Sequence, residues 1–553
     1  MPTTHKKKSI VYILLAVVAV AIVAGVLYWN LKKKTIIKEK VQTALVKKSN
    51  GLYNIEYSNL QLNEVTGNLS LTGIQLTYDS TQLQALLKQH RAPNVVFTIS
   101  ADSIVATGVK TPQALLAKQI IGSKLQLVHP SIELLYTNEE KETVKDMPDK
   151  EVYRQVLGQL DLIAIDTVEI KQARLITRHL FSKKPALTVS NINIVLNNIR
   201  IDSAANKDTT RILFAENIHV QADTIAWKSK DGVYHFTIDS FRLNTLDKSS
   251  YIKTLAIEPI YSETEFMQHA QVQKDRFHFT INQLQINGLQ LQQLLNEKFV
   301  AESISTNNST FKIYRDLNLP HDGKSRMGAY PQQALMKMAL PIDIKKLQLT
   351  NCFMEYKERN AVTKMSGKVQ FYHVHGTISN VTNMVRQIKV NNKMVVDVQT
   401  DFLDAAPFAV KWVMYLMDPN GRFIINGDMG GFNATVLNQI IEPMGPARVE
   451  AGNVENLRFN LQGDNNIMKG ALALTYNHLK VAMLKKDEED DKLKKKGLVS
   501  AISNLFIKDA NPQKGKELRT VPIMFTRDTK RSVFSFIWKS IFSGVKASVG
   551  IKK

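Results

Sequence analysis

The stretch Ile165-Asp166-Thr167-Val168-Glu169-Ile170-Lys171-Gln172-Ala173-Arg174-Leu175 decides the fold. Its apolar residues fall at Ile165, Val168, Ile170, Ala173 and Leu175, a spacing of three, two, three, two. Steps of two place side chains on one face of a strand, and a step of three is what a bulge or tight bend inserts without losing that face. A helix needs steps of three and four in alternation. The rhythm returns at Ile281, Leu284, Ile286, Leu289 and Leu291, and again at Ile344, Leu347, Leu349, Cys352 and Met354. The chain is therefore expected to be mainly β, a long curled antiparallel sheet that keeps one apolar face over hundreds of residues. What that face hides against is expected to carry the function.

Working outward, strand patterns run from Ile55 to Tyr78 through a turn at Thr66-Gly67, and then at 95–109, 124–137, 163–177, 187–203, 212–227, 234–246, 252–262, 277–291, 302–315, 342–357 and 367–380. Short helices are expected at Pro148, with Val152, Val156, Leu157 and Leu160 on one face, and at Pro331. Residues 51–393 thus read as one β region and 394–484 as a second, with turns at Pro419-Asn420-Gly421, Gly430-Gly431 and Gly463-Asp464. A charged loop at 485–496 precedes amphipathic helices in 497–553. The first groups Leu498, Val499, Ile502, Leu505 and Phe506; the second, 532–549, groups Phe534, Ile537, Trp538, Ile541, Phe542 and Val545 among lysines. That second stripe suits either an interfacial membrane helix or a cap on the open end of the sheet.

At the other end, Ser9 to Leu31 contains no charged residue. As a helix it would be about 34 Å long, enough for a hydrocarbon core of about 30 Å. It reads as an uncleaved transmembrane anchor, with a cytoplasmic tail at 1–8, a juxtamembrane helix at 32–50 and the bulk of the chain translocated.

The 553 residues carry 72 basic and 50 acidic side chains, a net charge of +22, which favours anionic partners. No helix-turn-helix, zinc or aromatic RNA-platform motif occurs, so nucleic acid is not the expected partner. Enzyme signatures are also lacking: no phosphate loop, dinucleotide fingerprint, metalloprotease helix or nucleophile elbow can be quoted. No catalytic residue, metal site or cofactor is expected. His373 and His375 read as ordinary sheet histidines, and Cys352, the only cysteine, as a buried one.

The anchor, the strand rhythm and several strings together resemble the AsmA-like superfamily of Gram-negative envelope proteins. Ser49-Asn50-Gly51-Leu52-Tyr53-Asn54-Ile55 leads into Gly67-Asn68-Leu69-Ser70-Leu71 and Gly73-Ile74-Gln75-Leu76. Further on come Phe423-Ile424-Ile425-Asn426-Gly427-Asp428-Met429-Gly430-Gly431-Phe432, then Leu437-Asn438, Ala451-Gly452-Asn453-Val454-Glu455-Asn456-Leu457-Arg458-Phe459, and Lys469 to Val481. The resemblance implies a bridge-like lipid-transfer protein: a β-groove with an apolar inside, anchored in the inner membrane, standing in the periplasm and moving glycerophospholipid towards the outer membrane. The candidate groove residues are then Ile165, Val168, Ile170, Ile281, Leu284, Ile286, Leu289, Leu291, Ile344, Leu347 and Leu349, and the C-terminal helix would meet the outer membrane or an envelope partner. It transfers no catalytic residue. The rival expectation is an assembly factor for outer-membrane proteins, with the sheet closed or offering a docking edge.

Overall fold

A computed structural model describes residues 49, 51–63, 65–110, 117–137, 157, 160–180, 182, 185–445, 447–484, 501–504 and 507–551. The expected anchor, the juxtamembrane helix apart from Ser49, the helix at Pro148 apart from Leu157 and Leu160, and the charged loop at 485–496 lie outside the described residues. No helix among the described residues is long and apolar enough to cross a membrane.

The chain divides into two compact units, 1–230 with 235–253, and 231–234 with 254–553, so the division falls inside the expected 51–393 region. Both are built almost wholly of strands. The first holds β1 (Tyr53–Glu56), β2 (Asn59–Asn63), β3 (Asn68–Tyr78), helix α1 (Ser80–Lys88), β4 (Val95–Thr107), β5 (Gln119–Val128), β6 (Ser131–Tyr136), β7 (Leu162–His179), β8 (Leu187–Ile201), β9 (Asn217–Lys228) and most of β10 (Tyr234–Asn244). Strand β11 (Ser249–Pro259) crosses the division. The second unit continues with α2 (Glu263–Ala270), β12 (Arg276–Asn287), α3 (Leu291–Leu295), β13 (Phe299–Asn307), β14 (Thr310–Asp316), α4 (Pro331–Met336), β15 (Ile342–Arg359) and β16 (Ser366–Thr382). It then runs through α5 (Val385–Val390), β17 (Lys393–Phe402), β18 (Ala406–Tyr415), β19 (Phe423–Met429), β20 (Phe432–Asn433), α6 (Asn438–Met444), β21 (Ala447–Gly463) and β22 (Ile467–Leu484). Strands β23 (Ala501–Asn504) and β24 (Thr520–Thr526) and helix α7 (Val533–Ser548) complete it.

Three expectations are corrected. The sheet is mixed and not antiparallel throughout: β5 and β6 both run parallel to β7, and β13 and β14 both run parallel to β15. Parallel neighbours need long connections, and the segments between Tyr136 and Leu162 and between Asp316 and Ile342 supply them. Secondly, Leu289 and Leu291 do not extend β12, because Gly288 takes φ +65 directly after Asn287 and Leu291 opens α3. Thirdly, the helix expected around Ile502 gives way to β23, whose backbone pairs with the end of β22, Ala482 facing Asn504 and Met483 facing Ser503. Hydrogen bonds offered by a free strand end outweigh a helical spacing of side chains.

The step of three has a definite backbone cause. Gln172 in the middle of β7 adopts φ +52, and the register with β8 shifts between Ile170 and Ala173. Asn351 in β15 adopts φ +49, and the register with β16 shifts between Leu349 and Cys352. A left-handed residue inserted in a strand is a bulge, and it returns the next apolar residue to the same face.

These two bulges belong to a larger duplication. The order β3–α1–β4–β5–β6–β7–β8 recurs as β11–α2–β12–β13–β14–β15–β16, and the pairings among β4 to β8 recur among β12 to β16 with the same directions. Ile165, Val168, Ile170, Gln172, Ala173 and Leu175 lie 179 positions before Ile344, Leu347, Leu349, Asn351, Cys352 and Met354. Left-handed His129, between β5 and β6, lies 179 before left-handed Asn308, between β13 and β14. Glycines 108 and 288, both at positive φ, end β4 and β12 in the same way.

The two copies differ in what covers their apolar faces. In the first unit Leu71, Ile104, Leu127, Val168, Ile170, Leu196 and Ile218 are buried in one cluster. In the second unit the main cluster is built by Tyr330, by Leu335 of α4 and by the chain from β16 onward, around Trp412, Phe423, Leu461, Met468, Leu472 and Tyr476. Helix α7 closes this cluster: Phe536 and Ile537 are buried in it, and Gly544 sits so near Ile523 that a Cβ would come within 2.9 Å of its Cδ1.

Candidate functional site

The second unit carries rows of apolar side chains that cross strand after strand. Ile286 pairs with Ile304, Ile304 with Leu347, Leu347 with Ile378, Ile378 with Val396, and Val396 with Trp412. The row goes on from Trp412 to Ile425 and Leu461. A second row is aromatic: Phe279 pairs with Phe311, Phe311 with Met354, Met354 with Phe371, and Phe371 with Phe402. A third joins Phe277, Ile313, Tyr356 and Val369. Directly opposed residues share a face of the sheet, so the three rows form one apolar lattice.

Its exposure changes along the sheet. From β12 to β17, Ile286, Ile304, Leu347, Ile378 and Val396 are all only half-buried, as are Phe279, Phe311, Met354 and Phe371. From β18 on, the first row is closed, with Trp412 7% exposed and Leu461 not at all. The part over β12 to β15 belongs to no buried cluster. Among the described residues it is a half-exposed apolar surface outside the packed clusters.

A polar border runs beside the third row. Asp275 and Arg315 form a two-point ion pair at 2.7 and 2.8 Å, and Arg315 stands opposite Glu358. Tyr356 donates its hydroxyl to Glu358 at 2.8 Å. Its pKa is raised well above the ordinary phenol value, first by desolvation and then by the Glu358 charge. The bulge residues form a separate exposed polar row: Asn351 donates to Asn308 at 2.6 Å, and Asn307 donates to Gln283 at 3.2 Å.

Expected site residues are placed as follows. Ile281, Leu284, Ile286, Leu347 and Leu349 lie half-buried in the second unit, Ile344 is buried at 7%, and Leu289 is buried at 5%. Leu291 is half-buried on α3. In the first unit Val168 and Ile170 are buried core residues, and Ile165 is half-buried against them. The expected list missed the aromatic row, although Phe277, Phe279 and Ile281 alternate in the sequence just as a strand face requires. His373 is exposed, with Nδ1 2.9 Å from Asp401. Cys352 is fully buried, and burial raises its thiol pKa. Among the described residues no group of three or more His, Cys, Asp or Glu side chains is gathered to hold a metal ion.

The C-terminal helix has two faces where one was expected. Val533, Phe536, Ile537, Ser540, Gly544 and Ser548 are buried against the sheet. Phe534, Trp538 and Phe542 point outward, 65%, 41% and 40% exposed, while Ile541 and Val545 lie between the faces.

No protein-family model matches this chain, and no curated protein matches it either. The chemistry must be taken from the lattice itself, which offers a large apolar contact area with a charged border.

Proposed function

We propose that this chain is a non-enzymatic phospholipid-binding protein that holds acyl chains on the half-exposed apolar face of β12 to β17, most open over β12 to β15, as on the wall of a β-groove. The single observation that carries the reading is the half-exposed lattice of Ile286, Ile304, Leu347, Ile378 and Val396 with its aromatic neighbours. Five strands at about 4.8 Å spacing put the ends of that row about 19 Å apart. One acyl tail spans about 15 Å, half of a hydrocarbon core of about 30 Å. Eight methylenes fully taken out of water gain about 6 kcal/mol, and contact on one side alone gives about half of that. The Asp275–Arg315 border keeps a head group solvated beside it.

The resemblance to AsmA-like proteins supports the wider setting: an anchor at 9–31 in the inner membrane, the bulk of the chain in the periplasm, and glycerophospholipid conducted towards the outer membrane.

The test is to purify the full chain in mild detergent and identify bound lipid by mass spectrometry. Phospholipid should accompany the wild type and be lost from the Ile286→Asp/Leu347→Asp variant while circular dichroism stays unchanged. A wild-type protein free of phospholipid, or one that captures a barrel protein in its place, would overturn the reading.

A further inference from the structure

The outward stripe of α7 begins at the closed end of the first lattice row. Trp412, where the first lattice row becomes closed, meets Phe534 with ring centroids 6.0 Å apart. Phe534, Trp538 and Phe542 follow at intervals of four and so lie on one side of the helix. Trp538 and Phe542 stack at 6.2 Å with planes 11° apart, and the Lys546 ammonium lies 5.3 Å from the Phe542 ring centre. All three rings of this stripe stay exposed, although the opposite side of the same helix is packed into the main cluster.

Charge selects the occupant. Residues 529–553 contain six basic side chains, Lys530, Arg531, Lys539, Lys546, Lys552 and Lys553, and no acidic one. Lys530, Lys539 and Lys546 are exposed. A protein partner is not required to bring anionic charge, whereas an anionic bilayer brings it together with an apolar interior. Aromatic rings at the acyl boundary with lysines among the phosphates is the arrangement of an interfacial helix.

The geometry points to α7 as a membrane-docking element: Phe534, Trp538 and Phe542 enter the interface of an anionic bilayer while Lys539 and Lys546 engage its phosphates. The helix is then both the cover of the closed end of the sheet and the step from sheet to bilayer. The inference builds on the lipid-binding reading, but it concerns a different set of residues and fails separately.

Full chain reconstituted in phosphatidylcholine nanodiscs is mixed with fluorescent vesicles, either pure phosphatidylcholine or with one-third phosphatidylglycerol (about 30%, an anionic surface). Capture above empty nanodiscs is expected for the anionic vesicles only, and it should fall with added salt. The Phe534→Ser/Trp538→Ser/Phe542→Ser variant should lose capture about tenfold. Lys539→Glu/Lys546→Glu changes only exposed lysines, so it tests the charge contribution without threatening the fold, and it should lose capture likewise. The Ile286→Asp/Leu347→Asp variant should capture vesicles as well as the wild type while losing bound phospholipid. Wild-type capture by the serine and glutamate variants would overturn the inference. So would a stripe variant that turned a dimer into a monomer in light scattering with capture unchanged, since the stripe would then join two copies of the chain.

Discussion

Trp412 and Phe534 meet edge to face, at 79° between ring planes, where a row of eight paired residues passes from half-open to closed. The contact joins a strand residue to a helix more than a hundred positions later. How firmly α7 holds there depends on the close approach at Gly544.

Gly544→Leu should loosen the helix. A Cβ alone would stand 2.9 Å from Ile523 and 3.2 Å from Leu472, both part of the sheet's packed side. Overpacking of this kind costs about 1–3 kcal/mol. Hydrogen exchange of the α7 amides should accelerate while strands of the first unit keep their protection.

Equivalent positions of the duplication should respond unequally. Ile170 is 3% exposed and packed in the first unit's cluster, so Ile170→Ala should cost about 3 kcal/mol. Leu349, 179 positions later and half-buried, should cost about 1 kcal/mol when cut to Ala. Denaturant titration of the two variants measures the difference, and equal losses would mean that the second face is as well packed as the first.

The bulges should demand small or left-handed-tolerant residues. Asn351 has φ +49, where a β-branched residue is strained by about 1–2 kcal/mol. Asn351→Val should lower the unfolding midpoint and Asn351→Gly should not, as denaturant titration will show.

His129 should titrate high. Its Nδ1 lies 2.6 Å from Asp102, and its other ring nitrogen meets the Gln172 side chain. The Asp102 hydrogen bond is the main cause that raises its pKa, with Gln172 next. Because the folded value lies above the unfolded one, of about 6.5, the protonated pair's contribution is fully present below that value. It is lost as pH rises through the folded pKa. An NMR titration of the ring should find the midpoint above the ordinary value, and Asp102→Asn should bring it back.

Much of this fold is legible in the residues. The step of three at Ile170–Ala173 names the bulge, and the hairpin at Gly463-Asp464 lies where β21 turns into β22. The duplication is harder to read, since Val168 matches Leu347, Gln172 matches Asn351 and Ala173 matches Cys352; polarity and backbone demand are shared while side chains are not. Whether a face is open cannot be read from its pattern at all, because Ile170 and Leu349 occupy the same place in the same rhythm. Exposure depends on what the rest of the chain lays over each. The stripe of α7 is a similar case. Six apolar residues at helical spacing predicted one face, and only the position of the sheet divides Ile537 from Trp538.

The duplication separates two demands that a single copy would have to meet together. A face that must pack tightly tolerates few changes, whereas a face left open can exchange one bulky side chain for another without unfolding the strands beneath. Here Ile99, buried in the first copy, is answered by Phe279, half-open in the second. One copy can thus conserve architecture while the other diversifies in what it touches, a division of labour that gives such a chain room to vary one face without losing its frame.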